Sequence, residues 1–205
     1  MKILQVIPII NIGGAQTMCE NLCCSLKNFD KNIDIKIVSF YDTKSDITTR
    51  LENNGIEIYY LGKHKGPDIK MLLKLSKIRK KFKPDVIHTH LYSLEYVIPA
   101  LKLSGLKKVK LIHTLHSVAD KENSNRIINF QKKYFKNGFV IPVSISERVQ
   151  KSAEKIYGMD IAALPIIYNG IPLQKCKIKT DYSICNNILH IGRVVDVKNH
   201  EFLIE

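Results

Sequence analysis

The chain has 205 residues, 45% hydrophobic and 25% charged, a balance that excludes a disordered polypeptide and leaves room for one good-sized domain and a remainder. Its net charge of +13, from 32 Lys and Arg against 19 Asp and Glu, calls for an anionic partner to be considered: nucleic acid, an anionic membrane or a phosphorylated substrate. No stretch reaches the roughly 18 uncharged apolar residues of a membrane-spanning helix. The five cysteines, Cys19, Cys23, Cys24, Cys176 and Cys185, form an odd set with no Cys-x-x-Cys pair, the pattern of reduced core thiols in a cytoplasmic protein and not of a metal site.

In chain order, the apolar run after Met1 is too short and lacks the cleavage site of a signal peptide, and reads as a first strand at residues 2–7. The loop from Asn11 to Gln16, with Gly13 and Gly14 paired, then runs into a helix over residues 15–26, where Met18, Cys19, Leu22, Cys23 and Leu26 share one face. Strands are expected at 34–39 and 56–61, and a helix at 68–82 bears Ile69, Leu72, Leu73, Leu75 and Ile78 with its basic residues mostly on the other face. That helix lies in a segment where nine basic residues between Lys63 and Lys83 face one acid, Asp68. Further strands are expected at 86–90, 109–113, 139–144 and 164–168, with helices at 123–135 and 147–157. Ser146 caps the last helix at its start and Gly158 at its end. Residues 172–187 lapse into a polar linker, and a new apolar strand begins at 188–191.

The strands are apolar on successive residues and alternate with amphipathic helices, which predicts an α/β fold with a doubly wound, mostly parallel sheet buried on both faces. Ligands of such sheets bind beyond the carboxyl ends of the strands. There the paired glycines let backbone amides at a helix N-terminus approach an anionic or hydroxyl-rich ligand, without the Gly-x-Gly-x-x-Gly spacing of a nicotinamide dehydrogenase. At the next ends, Val86-Ile87-His88-Thr89-His90 and Leu111-Ile112-His113-Thr114-Leu115-His116 set four of the seven histidines at adjacent strand termini. Strand alternation separates His88 and His90 from Thr89, and His113 from Thr114 and His116. The reading gathers the four at one sheet edge as a candidate site, with no carboxylate beside them to complete a metal set.

Six segments, in order, resemble the retaining glycosyltransferases of family four, which pair two Rossmann-like domains in the GT-B fold. They are Gly13-Gly14-Ala15-Gln16, Pro84 through His90, His113-Thr114-Leu115-His116, Val143-Ser144-Ile145-Ser146-Glu147, Tyr168-Asn169-Gly170-Ile171, and Ile191-Gly192-Arg193 with Lys198-Asn199-His200. The resemblance implies a Rossmann-like acceptor domain over residues 1–171, a linker at 172–187 and the start of a nucleotide-sugar-binding domain at 188–205. It implies that His116 sits at the donor sugar and takes part in catalysis, and that Gly13 and Gly14 lie between acceptor and donor phosphate. Asn169 and Gly170 would form the turn before the second domain, with Gln16 and His90 also at the substrate. Arg193 and Lys198 would grip the donor diphosphate, whose growing charge fixed cations stabilise. Donor nucleotide-sugar and a saccharide or lipid-linked acceptor are then the partners, with no cofactor and no metal.

The family's paired glutamates and second glycine-rich motif are not among these residues, so the 205-residue chain is expected to fold but not to turn over donor. The basic segment suits peripheral contact with an anionic membrane at its cytoplasmic face. A nucleic-acid-binding module would interleave aromatics with the basic residues, and only Phe82 does so. A sugar-nucleotide epimerase or phosphorylase shares the architecture and stands as the alternative.

Overall fold

The computed structural model describes residues 1–64, 66, 68–105, 109–118, 124–173, 190, 192, 194, 195 and 199–203. The chain divides into two compact units, Met1–Ile171 and Pro172–Glu205. In the second, the described residues form one short 3-10 turn, Glu201–Leu203. The expected strand at 188–191 and the basic pair Arg193 and Lys198 fall outside the described residues, apart from His190.

The first unit holds one sheet of β1 (Lys2–Ile7), β2 (Asp34–Ser39), β3 (Glu57–Tyr60), β4 (Val86–His90), β5 (Lys110–Leu115) and β6 (Ile141–Ser144). Its order is β3-β2-β1-β4-β5-β6, and every pair is parallel. From β1 the chain steps outward to β3, returns to β4 and steps outward the other way. Right-handed crossovers in opposite directions put helices on opposite faces. Helices α1 (Gly14–Phe29) and α2 (Asp46–Asn53) accordingly bury Cys19, Cys23, Ile47 and Leu51 with Ile3, Ile7, Ile35 and Ile37 of the sheet. Helices α3 (Ile69–Phe82), α4 (Leu94–Ser104), α5 (Asn125–Lys136) and α6 (Glu147–Tyr157) cover the other face, where Leu75, Val97, Phe135 and Tyr157 meet Leu4, Val6, Ile87 and Leu111. Each fully buried aliphatic or aromatic side chain here contributes about 1.5–3 kcal/mol through water excluded from its surface.

Local chemistry sets the helix ends. Asp68 accepts from the Met71 amide at 3.1 Å at the start of α3, and Lys83 closes it in the left-handed region, φ 53°, just before Pro84. Ser146 accepts from the Val149 amide at 3.3 Å at the start of α6, and Gly158 ends it at φ 59°.

Two helices have no counterpart in the sequence reading. α2 is polar along most of its length, with Ile47, Thr48 and Leu51 buried and Ser45 and Thr48 forming a reciprocal capping box. α4 is apolar nearly all round and carries Pro99 inside, so no 3.6-residue period stands out. The strand expected at 164–168 reduces to one bridge, Ser144 to Ile166, because Pro165 has no amide hydrogen to extend a ladder. β6 begins at Ile141, two residues later than expected, and contains Pro142 on an edge strand. The Ser144 amide donates to the Pro165 carbonyl and the Ile167 amide to the Ser144 carbonyl, both at 2.9 Å, so Ser144 turns its backbone away from β5. Pro142, two residues earlier, turns the same way, and its missing donor removes no bond of the sheet.

Candidate functional site

The order of strands reverses between β1 and β4, and the crevice at their carboxyl ends is where a doubly wound sheet takes its ligand. Ser93 fastens the two strand ends together: it accepts from the His90 amide and donates to the Val6 carbonyl, each at 3.0 Å. Between them Leu91 stands at φ 53°, a left-handed conformation that costs a residue with a side chain about 1–2 kcal/mol. Strain of this kind persists where surrounding contacts impose it and clusters at ligand sites.

The parallel register sets Gln5 beside His88, and His90 beside Thr114, so these side chains share the face covered by α1. There a chain of hydrogen bonds runs from the interior outward. Gln5 Oε1 lies 2.9 Å from His90 Nε2, and His90 Nδ1 lies 3.0 Å from His116 Nε2. His88 Nε2 bonds Thr114 Oγ1 at 2.7 Å, with its ring 4.2 Å from that of His90. Gln5, His88 and His90 are buried, whereas His116 is half-buried and the outermost member.

Of the four histidines at this edge, three share one face. His113 pairs with Thr89 and so faces the opposite layer. There its Nδ1 lies 2.9 Å from Thr89 Oγ1, and its ring stacks on Phe135 at 5.9 Å. The same alternation that separates the side chains places it in the α5 core.

Burial makes this cluster uncharged. It pushes His88 and His116 down to about 4 and His113 down to about 3. His90 is pushed well below the ordinary imidazole range by burial first and then by its imidazole neighbours. Neutral imidazoles exchange hydrogen bonds with hydroxyls and do not act as a cationic clamp for phosphate. No group of three or more His, Cys, Asp or Glu among the described residues could hold a metal ion.

Positive potential at this edge comes from α1 instead. Its first helical bond is Thr17 amide to Gly13 carbonyl, 2.9 Å, and no side chain caps it, so the first-turn amides point outward with the helix dipole behind them. Gly13 is extended, φ 174°, a conformation open to any residue. A side chain there would run into Gln16, whereas one on Gly14 would enter open space. Gln16 itself holds the loop, its Nε2 donating to the Ile9 carbonyl at 3.3 Å. His90, with both ring nitrogens engaged, lies behind His116. Asn169 and Gly170 are exposed, and the Gly170 carbonyl is met by Asn21 Nδ2 of α1 at 3.4 Å. Gln5, Ser93 and Thr114 are the members that sequence reading missed. An isolated Gln inside an apolar strand was the one visible signal.

A second concavity opens on the α3 side of the same sheet edge. It is a cleft of about 540 Å³ lined by Lys63, Asp68, Ile69, Leu72, Glu95, Tyr96 and Arg126, among others. The Lys63 ammonium lies 5.4 Å from the Tyr96 ring centre and donates to the His64 and Gly66 carbonyls at 2.9 and 3.0 Å.

A family profile described as Glycosyltransferase Family 4 matches residues 12–175. The chain is 23% identical over 215 aligned residues to the capsular polysaccharide biosynthesis glycosyltransferase CapH of Staphylococcus aureus, covering 100% of this chain and 57% of that protein. Anabaena HepE, solved in complex with UDP-glucose, superposes with a TM-score of 0.68 at 18% identity, over 85% of this chain and 45% of the other. UDP-GlcNAc 2-epimerase from Neisseria meningitidis, bound to UDP-GlcNAc, superposes with a TM-score of 0.53 at 14% identity, over 81% and 45%. The chain thus spans just over half the length of its curated relative and under half of these solved proteins.

Proposed function

We infer the activity from one premise: the chain belongs to Glycosyltransferase Family 4. The reading its geometry supports best is transfer of a sugar from a nucleotide-sugar donor to a saccharide or lipid-linked acceptor, with retention, by the gene product that carries this chain. The observation behind it is the neutral, half-buried His116, held by a part-buried hydrogen bond to His90 on the sheet face that α1 also covers. A sugar needs uncharged groups that meet its hydroxyls, and a diphosphate needs positive potential. His116 suits the first and the uncapped N-terminus of α1 suits the second. On the family resemblance Arg193 and Lys198 add fixed cations for the leaving diphosphate, and the reaction then calls for no metal. CapH points to a capsular polysaccharide acceptor, and the UDP-glucose bound by HepE points to a UDP-sugar donor.

The acceptor is assigned to the cleft beside Tyr96, whose ring offers a stacking face while Lys63, Glu95 and Arg126 offer hydrogen-bonding groups. Ile69 and Leu73, both exposed, extend apolar surface beside it along α3, together with exposed Lys70, Lys74, Lys77, Lys80 and Lys81. Such a surface fits a lipid-carried acceptor at an anionic membrane.

The test is a panel of nucleotide sugars added to the gene product, read by thermal shift and by product analysis. UDP-sugars should raise the melting temperature as mass action requires, and transfer should need an acceptor. His116→Ala should lower kcat by about a hundredfold with little change in melting temperature. An epimerised donor that forms without any acceptor would favour the epimerase reading, to which the fold is also similar. Absence of stabilisation by every nucleotide sugar would sink both.

A further inference from the structure

We propose that Gln5 is a positioning residue. Through His90 it fixes which nitrogen of His116 carries the proton, and so presents His116 Nδ1 to a ligand as a hydrogen-bond acceptor. The value of this for catalysis rests on the reading of His116 given above, whereas the protonation pattern follows from the hydrogen-bond geometry together with burial.

The amide oxygen of Gln5 only accepts. At 2.9 Å from His90 Nε2 it requires a proton on that nitrogen. His90 is fully buried and neutral, so it carries one ring proton, and its Nδ1 keeps a lone pair. His116 Nε2, 3.0 Å away, must then donate. His116 is neutral as well, which leaves its Nδ1 unprotonated and without a partner among the described residues. A carboxamide buried beneath the first strand thereby sets the polarity of a ring at the site. The outward nitrogen receives a hydrogen bond from a hydroxyl and repels a phosphate oxygen, which has no proton to give. Rotation of the Gln5 amide by a half-turn would reverse every donor in the relay, so the amide is the single control point.

The arrangement is read directly by long-range 1H–15N correlation spectra of the 15N-labelled chain. His90 and His116 should both appear as the Nε2-protonated tautomer. Gln5→Met, which fills the space without a hydrogen bond, should turn the His116 signals into an average of two tautomers. In the gene product, Gln5→Met should lower kcat for sugar transfer about tenfold with donor KM within about twofold. A wild-type His116 protonated on Nδ1, or a tautomer unchanged in Gln5→Met, would overturn the proposal. Wild-type spectra as expected but without any sugar transfer would leave the relay standing and sink the enzymatic reading instead.

Discussion

Proton uptake by the buried imidazoles is tied to unfolding. His88 and His116 hold folded values near 4 against an ordinary 6.5, so between those limits the unfolded chain binds more protons than the folded one. Stability is therefore full above pH 6.5 and falls as pH drops through that window. A depression of this size is worth about 3 kcal/mol for a single isolated histidine at 1.36 kcal/mol per pH unit, and coupling among the rings makes the total less than additive. Melting temperature followed by circular dichroism should fall steeply from pH 6.5 to about 4, and His88→Asn, which keeps a polar group near Thr114 but cannot charge, should flatten the fall. An unchanged slope in that variant would show that other groups control acid unfolding. At this scale the sequence discloses the histidines and their alternation but not their partners. Gln5 reaches His90 across 85 positions of chain, and the bond depends on a register between β1 and β4 that no local pattern encodes. Ser93 is hidden in the same way, since its two bonds join strand ends that are distant in sequence.

Along α3 the basic residues are not equivalent. Arg79 is buried and donates to the Ser104 carbonyl at 3.1 Å, tying α3 to the end of α4, and Lys74 reaches the Leu61 carbonyl at 2.6 Å. Lys77, Lys80 and Lys81 face solvent. Reversing these three to Glu should weaken binding to vesicles containing anionic lipid at least about tenfold, from about 1 kcal/mol per basic residue near the surface, while leaving the melting temperature nearly unchanged. Arg79→Ala should do the opposite, lowering stability by about 1–2 kcal/mol because a part-buried carbonyl loses its charged donor, with vesicle binding retained. Unaltered vesicle binding in the triple variant would remove the membrane from the proposal. Periodicity exposed α1, α3, α5 and α6 because each has one apolar stripe. It failed for α2, which buries few side chains, and for α4, which is apolar on all sides and interrupted by Pro99.

For the molecule as a whole, alternation of apolar runs with amphipathic segments was enough to predict a doubly wound sheet, and crossover handedness then puts the helices on the two faces of the observed order. The placing of a candidate site at the carboxyl ends of the strands was legible for the same reason. The layer occupied by His113 was not, because side-chain alternation had to be combined with the β4 and β5 register. Pro142 and the bridge at Ser144 bear on how this molecule behaves among copies of itself. An unpaired strand edge is a template on which a second chain can add its own strand. Here one outward pair on β6 is occupied by residues 165–167 of the same chain, and the position two residues before it has no donor to offer. Pro142→Thr would restore that donor and lengthen the free edge, so the variant should self-associate at concentrations where the parent stays monodisperse, as light scattering would show. Pro142, placed where a donor would otherwise face outward, thus bears on the colloidal state of the protein as well as on its fold.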